Sequence, residues 1–179
     1  MKKPSCQQIL ICTMREMLEK RSFEKLTVQD ILAETDISRT TFYKHFTCKE
    51  QLLIQTFEWL WAQANTTRAE GPGLYGFELR FLHLVCDNAG LMKRAWEVPD
   101  FVRYLEGFFR DMLLSFGPPR CGEDRRGAFL AASMTAVLMD EYKRFIKAPR
   151  RAETSRIAAD VQQLFTAMSA AFEEDGDAA

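Results

Sequence analysis

Between Ile37 and Lys49 the chain gathers Arg39, Lys44, His45 and Lys49 among the hydroxyls of Ser38, Thr40, Thr41 and Tyr43, with no acidic residue in the window. Side chains of these types donate hydrogen bonds and carry positive charge, so the chemistry open to them is the binding of anions. The rest of the chain offers little for catalysis. It has no glycine-rich phosphate loop, no nucleophile-elbow pattern, no His-Glu-x-x-His helix, and only two histidines to serve as bases. The acids Glu97, Asp100, Glu106 and Asp111 mostly fall on the solvated side of their helices. We expect no enzymatic activity.

Two His–Cys pairs invite a metal: His45 with Cys48, and His83 with Cys86, each three residues apart. Two ligands do not make a site, and with no Cys-x-x-Cys pair we expect neither metal nor cofactor. Cys48 is the sharper redox candidate, because it precedes Lys49 at the start of a helix, where positive potential favours the thiolate. Oxidation there would set a bulky or charged group beside the basic window.

The chain has 179 residues, a formal charge of −1 and a pI near 6.2, which excludes binding of polyanions through bulk positive charge. The local balance matters more. Met1 to Thr56 holds nine Lys and Arg against seven Asp and Glu, and the remainder fifteen against eighteen. Five cysteines without a tight framework, an N-terminus lacking a secretory apolar run, and no stretch approaching the ~18 apolar residues of a membrane span point to a cytoplasmic protein without a membrane partner.

Apolar residues recur at helical spacing in segment after segment, and almost nothing alternates like a strand, so the expected fold is all-α. Leu10, Met14, Met17 and Leu18 line a first helix. Thr27 opens a second, with Asp30 three residues on as in a capping box, and Val28, Ile31 and Leu32 supply its buried side. After the turn at Asp36-Ile37-Ser38 a third helix begins at Ser38 or Arg39, with Phe42 and Phe46 inward. Lys49 starts a fourth that runs towards Thr67, and Glu70-Gly-Pro-Gly73 is the clearest linker. Beyond it come Leu74 to Asn88, a short piece around Leu91 to Trp96 ended by Pro99, and a stripe from Phe101 to Phe116 stopped by Gly117-Pro118-Pro119. Asp124 to Lys147 and Ala152 to Phe172 close the chain, the last with Ile157, Val161, Leu164, Phe165, Met168 and Phe172 inward.

With Phe42 and Phe46 turned in, the third helix is a short rod that offers guanidinium, ammonium and hydroxyl groups on its other faces. Such a rod fits the major groove of B-DNA, where Arg bonds a guanine edge bidentately and Thr, Tyr, Lys and His hold phosphates. The second helix is then the positioning helix of a helix-turn-helix.

The stretch TVQDILAETDISRTTFYKHFTCKEQLL, Thr27 to Leu53, closely resembles the helix-turn-helix of TetR-type (TetR/AcrR-like) transcriptional regulators. Thr27-Val28, Ile31, Ala33, Ile37-Ser38, Thr41, Phe42-Tyr43, His45-Phe46, Lys49-Glu50 and Leu52 stand at that family's characteristic places. Thr40 departs from it, because many members carry glycine there for close approach of backbone to phosphate. By this resemblance the DNA contacts are Thr27, Ser38, Arg39, Thr40, Thr41, Tyr43, Lys44, His45 and Lys49. Arg39 reads a base, Tyr43 and His45 meet phosphate, Lys44 adds attraction, and Lys49 holds phosphate at the start of the fourth helix.

The resemblance implies a three-helix DNA-binding domain over residues 1–49, a connecting fourth helix and linker over 50–72, a helical dimerisation and candidate effector domain over 73–173, and an acidic tail over 174–179, about nine helices in all. It also implies a repressor that binds a palindromic operator in double-stranded DNA as a homodimer and is released by a small-molecule effector. Ala131, Ala132, Ser133 and Ala136 give the penultimate helix a small-residue face for close helix approach. His83, Trp96, Tyr104 and Phe108 are candidate ligand contacts, although an aromatic stripe at helical spacing is more often plain core. A helical adaptor that binds protein instead of DNA, and a regulator switched through Cys48, are the competing expectations.

Overall fold

The computed structural model describes residues 4–67, 73–116 and 125–174, with side chains from 4–65, 73–116 and 125–170. Every regular element among them is helical. They are α1 (Cys6–Leu18), α2 (Val28–Ala33), α3 (Arg39–His45), α4 (Lys49–Thr67), α5 (Gly73–Asp87), α6 (Ala89–Ala95), α7 (Pro99–Phe116), α8 (Arg125–Lys147) and α9 (Thr154–Glu174), with a 3-10 turn at Arg151–Glu153 before the last. The tail after residue 174, and Cys121 with the Gly117-Pro118-Pro119 stop, lie outside the described residues.

The helix starts follow from local chemistry. Ser5 and Gln8 form a capping box on α1, and Thr27 and Asp30 form one on α2. At the latter the Thr27 hydroxyl accepts from the Asp30 amide at 3.1 Å and donates to the Asp30 carboxylate at 2.6 Å. That bond, followed by the Thr27 amide, holds the Asp30 carboxyl below the usual carboxylate range. Pro99 does not end the short sixth helix as expected; it is the first residue of α7, where its missing N–H costs nothing and its fixed φ suits a helix.

The chain divides into two compact units. The first comprises the segment up to Thr67 together with Asn88–Arg103, so it takes in α4, α6 and the first turn of α7. Within it α1 packs on α2, α4 and α6. Leu10, Met14, Leu18, Leu26, Ile31, Phe42, Phe46, Leu53 and Phe57 form its core, each at most 1% exposed. Arg94 of α6 ties the end of α1 by donating to the Leu18 carbonyl at 2.8 Å, and Glu19 accepts from the Leu91 amide at 3.3 Å. A Cβ at Gly90 would stand 2.2 Å from a Glu19 carboxylate oxygen, so a larger residue there would push that side chain aside.

The second unit comprises Arg68–Asp87 and everything from Tyr104 on. Helix α9 packs along α5 and against α8, and the Gln162 side chain accepts from the Tyr75 amide at 3.1 Å. Phe81, Phe109 and Tyr142 fill its centre beside a fully buried acid, Glu78. Of the residues expected inward on α9, Ile157, Val161 and Phe165 are buried, whereas Leu164 is 39% exposed and the Phe172 side chain lies outside the described residues. On α8 the face that the sequence reads as small-residue packing is split: Ala131 is buried, but Ala132 and Ala136 are exposed alongside Phe129 and Val137.

Candidate nucleic-acid interface

Three elements build the interface. Ser38 caps α3 by accepting from the Thr41 amide at 3.2 Å, and its hydroxyl also meets the Thr41 hydroxyl at 2.9 Å. The helix is seven residues long, about 10 Å at 1.5 Å per residue. At its far end Phe46 leaves helical geometry for an extended conformation while staying buried. Phe42 and Phe46 touch ring to ring at 5.7 Å and hold the middle and the far end of the rod to the core.

Seven of the nine expected contact residues are exposed: Thr27 and Ser38, which cap helices, and Arg39, Thr40, Tyr43, Lys44 and His45. Tyr43 is 46% exposed, with its ring edge-on to buried Phe42 at 5.2 Å. The Arg39 guanidinium sits over the Tyr43 ring at 5.6 Å, one helical turn away. Stacking of this kind limits the rotamers of a long side chain while leaving its five N–H donors outward. An arginine held beside a rigid ring, flanked by an ammonium, an imidazole and a hydroxyl, is suited to groove and phosphate contact.

Four of the nine do structural work. Thr27 and Ser38 spend their hydroxyls on caps, and Thr41 is half-buried against Ser38. Lys49 differs most from expectation. Instead of reaching outward for phosphate, its ammonium donates to the carbonyls of Phe23 at 3.0 Å and Leu26 at 2.8 Å and lies 4.4 Å from the Phe23 ring centroid. It thereby pins the start of α4 to the loop between α1 and α2, where the Phe23 carbonyl also accepts from the Leu26 amide at 3.1 Å. Lys49→Met should therefore cost about 1–3 kcal/mol of stability and leave the salt dependence of DNA binding unchanged. Lys44→Ala should do the reverse, with fold intact and the slope of log K against log salt shallower by about one.

His45 ends α3 and Cys48 lies in the connection to α4, so the two are not helix neighbours. The His83 ring pairs with the Thr154 hydroxyl at 3.2 Å, and burial pushes the Cys86 thiol up. Among the described residues no group of three or more His, Cys, Asp or Glu is placed to hold a metal ion. Cys48 is half-buried with the Thr47 hydroxyl 3.8 Å from its sulfur. Of the candidate ligand contacts, Tyr104 and Phe108 stack at 6.3 Å in the second unit, while Trp96 follows α6 in the first. Glu78 was not among them. The signal for it in sequence is an acid in register with Leu74, Phe81 and Val85 on the apolar face of α5.

A capped helix pair whose second member turns a guanidinium and hydroxyls outward defines the helix-turn-helix class. Residues 11–56 match the family described as "Bacterial regulatory proteins, tetR family", so this segment carries that family's DNA-binding helix-turn-helix. No curated protein sequence matches it. Among solved structures it is similar to "Dihydroxyacetone kinase operon activator DhaS", with a TM-score of 0.65 over 91% of this chain and 95% of that one at 17% identity, a likeness of fold. Among the described residues no helix is long and apolar enough to cross a membrane.

Proposed function

We propose that the protein acts in the cytoplasm as a homodimer that places two copies of α3 in successive major grooves of a palindromic operator, represses the adjacent promoter, and lets go when a small molecule binds the second unit. The observation that carries this is the outward cluster of Arg39, Thr40, Tyr43, Lys44 and His45 on a rod anchored by two buried phenylalanines. Two-fold recognition requires reading helices about 34–36 Å apart or a multiple of that span. A dimer surface is supported by Phe129 at 64% and Val137 at 48% exposure on α8, interleaved with exposed Ala132 and Ala136, since these lie on one helical face and would otherwise stay wet. Small residues there allow a second helix to approach closely.

Release follows from linkage: an effector that prefers the head spacing unsuited to DNA weakens DNA binding by the factor by which DNA weakens its own. The structural neighbour is titled an activator, so a promoter–reporter assay with and without the protein sets the sign of regulation. Binding is tested by fluorescence anisotropy and footprinting on the DNA flanking the gene, at several salt concentrations. Arg39→Ala should lose about 1–3 kcal/mol of specific binding and relax base preference at one position of each half-site, with circular dichroism unchanged. A protein that shows no salt-dependent DNA binding, and that Arg39→Ala leaves unaltered, would be a helical adaptor instead.

A further inference from the structure

The DNA-facing groups all belong to the first unit; the second holds a buried acid that DNA binding does not use. Glu78 on α5 is fully buried. The Tyr142 hydroxyl donates to one of its carboxyl oxygens, and the other, Oε1, is buried with no hydrogen-bond partner. Phe81 and Phe109 lie against the Tyr142 ring at 4.6 and 4.8 Å and against each other at 4.8 Å. From Phe109 the rings continue to Phe77 at 6.1 Å and on to Phe108 at 5.7 Å, and these outer two are only half-buried. A run of aromatic faces therefore leads from the carboxyl towards the surface of the unit.

A core built only for stability has no use for this acid, since a leucine or methionine fills similar volume without stranding an oxygen. Buried polar atoms in folded proteins are nearly always paired, and a lone one asks for a missing partner. We propose that Glu78, with the rings of Phe81, Phe109 and Tyr142, forms a recognition site for a small organic ammonium ion. The carboxylate supplies the counter-charge and the ring faces supply cation–π attraction. A neutral hydrogen-bond donor would satisfy Oε1 but leave the ring faces unused. In the free protein the rings close on one another. Phe81 and Phe109 stand on different helices, so the ligand opens the site by parting them and makes a minor state dominant.

Before binding, burial keeps the proton on Glu78 at neutral pH. The Tyr142 hydrogen bond opposes this more weakly, and among the described residues no charged group of α7, α8 or α9 acts directly on the carboxyl. A permanently charged ammonium selects the carboxylate, so binding at pH 7 expels one proton.

The test is calorimetry and thermal shift on the full chain without DNA, using tetramethylammonium, choline and benzyltrimethylammonium, with 3,3-dimethylbutanol as the neutral isostere of choline. At least one cation should raise the melting temperature, and choline should bind about tenfold or more tightly than its isostere. Glu78→Gln has the shape of the protonated acid and keeps the fold; it should lose that preference. Buffers of different ionisation heat should report one proton released. Failure of all three cations to bind, equal binding of choline and 3,3-dimethylbutanol, or unchanged cation binding by Glu78→Gln overturns the proposal. The proposed role as an effector rests on the regulator reading, but the binding test does not. Loss of DNA binding and loss of ammonium binding are separate results.

Discussion

Between about pH 5 and about pH 9 the protein should lose on the order of 4 kcal/mol of stability that Glu78→Gln retains. The cause is desolvation: with its carboxyl wholly buried, the folded state pushes the group from 4.5 up to about 8, while the unfolded chain titrates it as an ordinary acid. The folded pKa is raised, so the favourable contribution is complete below the unfolded value. It falls as pH rises through the interval and is exhausted once the folded carboxyl ionises near 8. The Tyr142 hydroxyl, pushed well above its ordinary range by the same burial and by Glu78 beside it, remains protonated through this window and cannot relieve the charge. Urea unfolding of both proteins at each pH isolates the effect, because every other titrating group is common to the two. Parallel pH profiles for wild type and Glu78→Gln would show that the carboxyl reaches water in the folded state. The variant should also be the more stable protein at pH 9, since the amide keeps the bond to Tyr142 without a charge to bury.

The second large effect is expected at Phe42. Its ring is 0% exposed and touches those of Tyr43 and Phe46. Phe42→Ala should destabilise the first unit by about 3–5 kcal/mol, the range for removing a buried aromatic side chain and leaving a cavity. The consequence for DNA should exceed the stability loss. Helix α3 is too short to persist alone, because isolated helices below about 12–15 residues are marginal in water. Without the anchor, Arg39 and Tyr43 lose the rod that holds them in register. Amide exchange should show α3 opening at free energies well below the global value, and anisotropy should show loss of specific binding even at temperatures where the second unit stays folded. Phe42→Leu fills most of the space and should keep both properties to within about 1.5 kcal/mol. An Ala variant that binds DNA as tightly as wild type would mean that α3 is not the reading element.

Much of the helix-turn-helix was legible in the sequence. Its capping box at Thr27 and Asp30, the turn into α3 and the inward pair Phe42 and Phe46 depend on interactions within about four residues, and local spacing carries such information. The same locality explains the errors. Pro99 is compatible with ending one helix or starting the next, and only the residues packed around α7 decide between them. Leu164 continues an apolar stripe in sequence, yet it is 39% exposed, because period alone does not say how much of a stripe its neighbours cover.

The sequence by itself determined that the chain is helical, that its basic window lies on one short helix, and which two rings hold that helix in place, since each follows from the 3.6-residue period and from charge counted along the chain. Only the tertiary structure decided which of the basic and hydroxyl groups remain exposed and uncommitted to caps or carbonyls. Lys49 is withdrawn by carbonyls 26 and 23 residues earlier in the chain. It likewise decided that Glu78 is buried opposite Tyr142, 64 residues away. A side chain's availability depends on what the fold brings against it, and contacts across such separations leave no periodic trace in sequence.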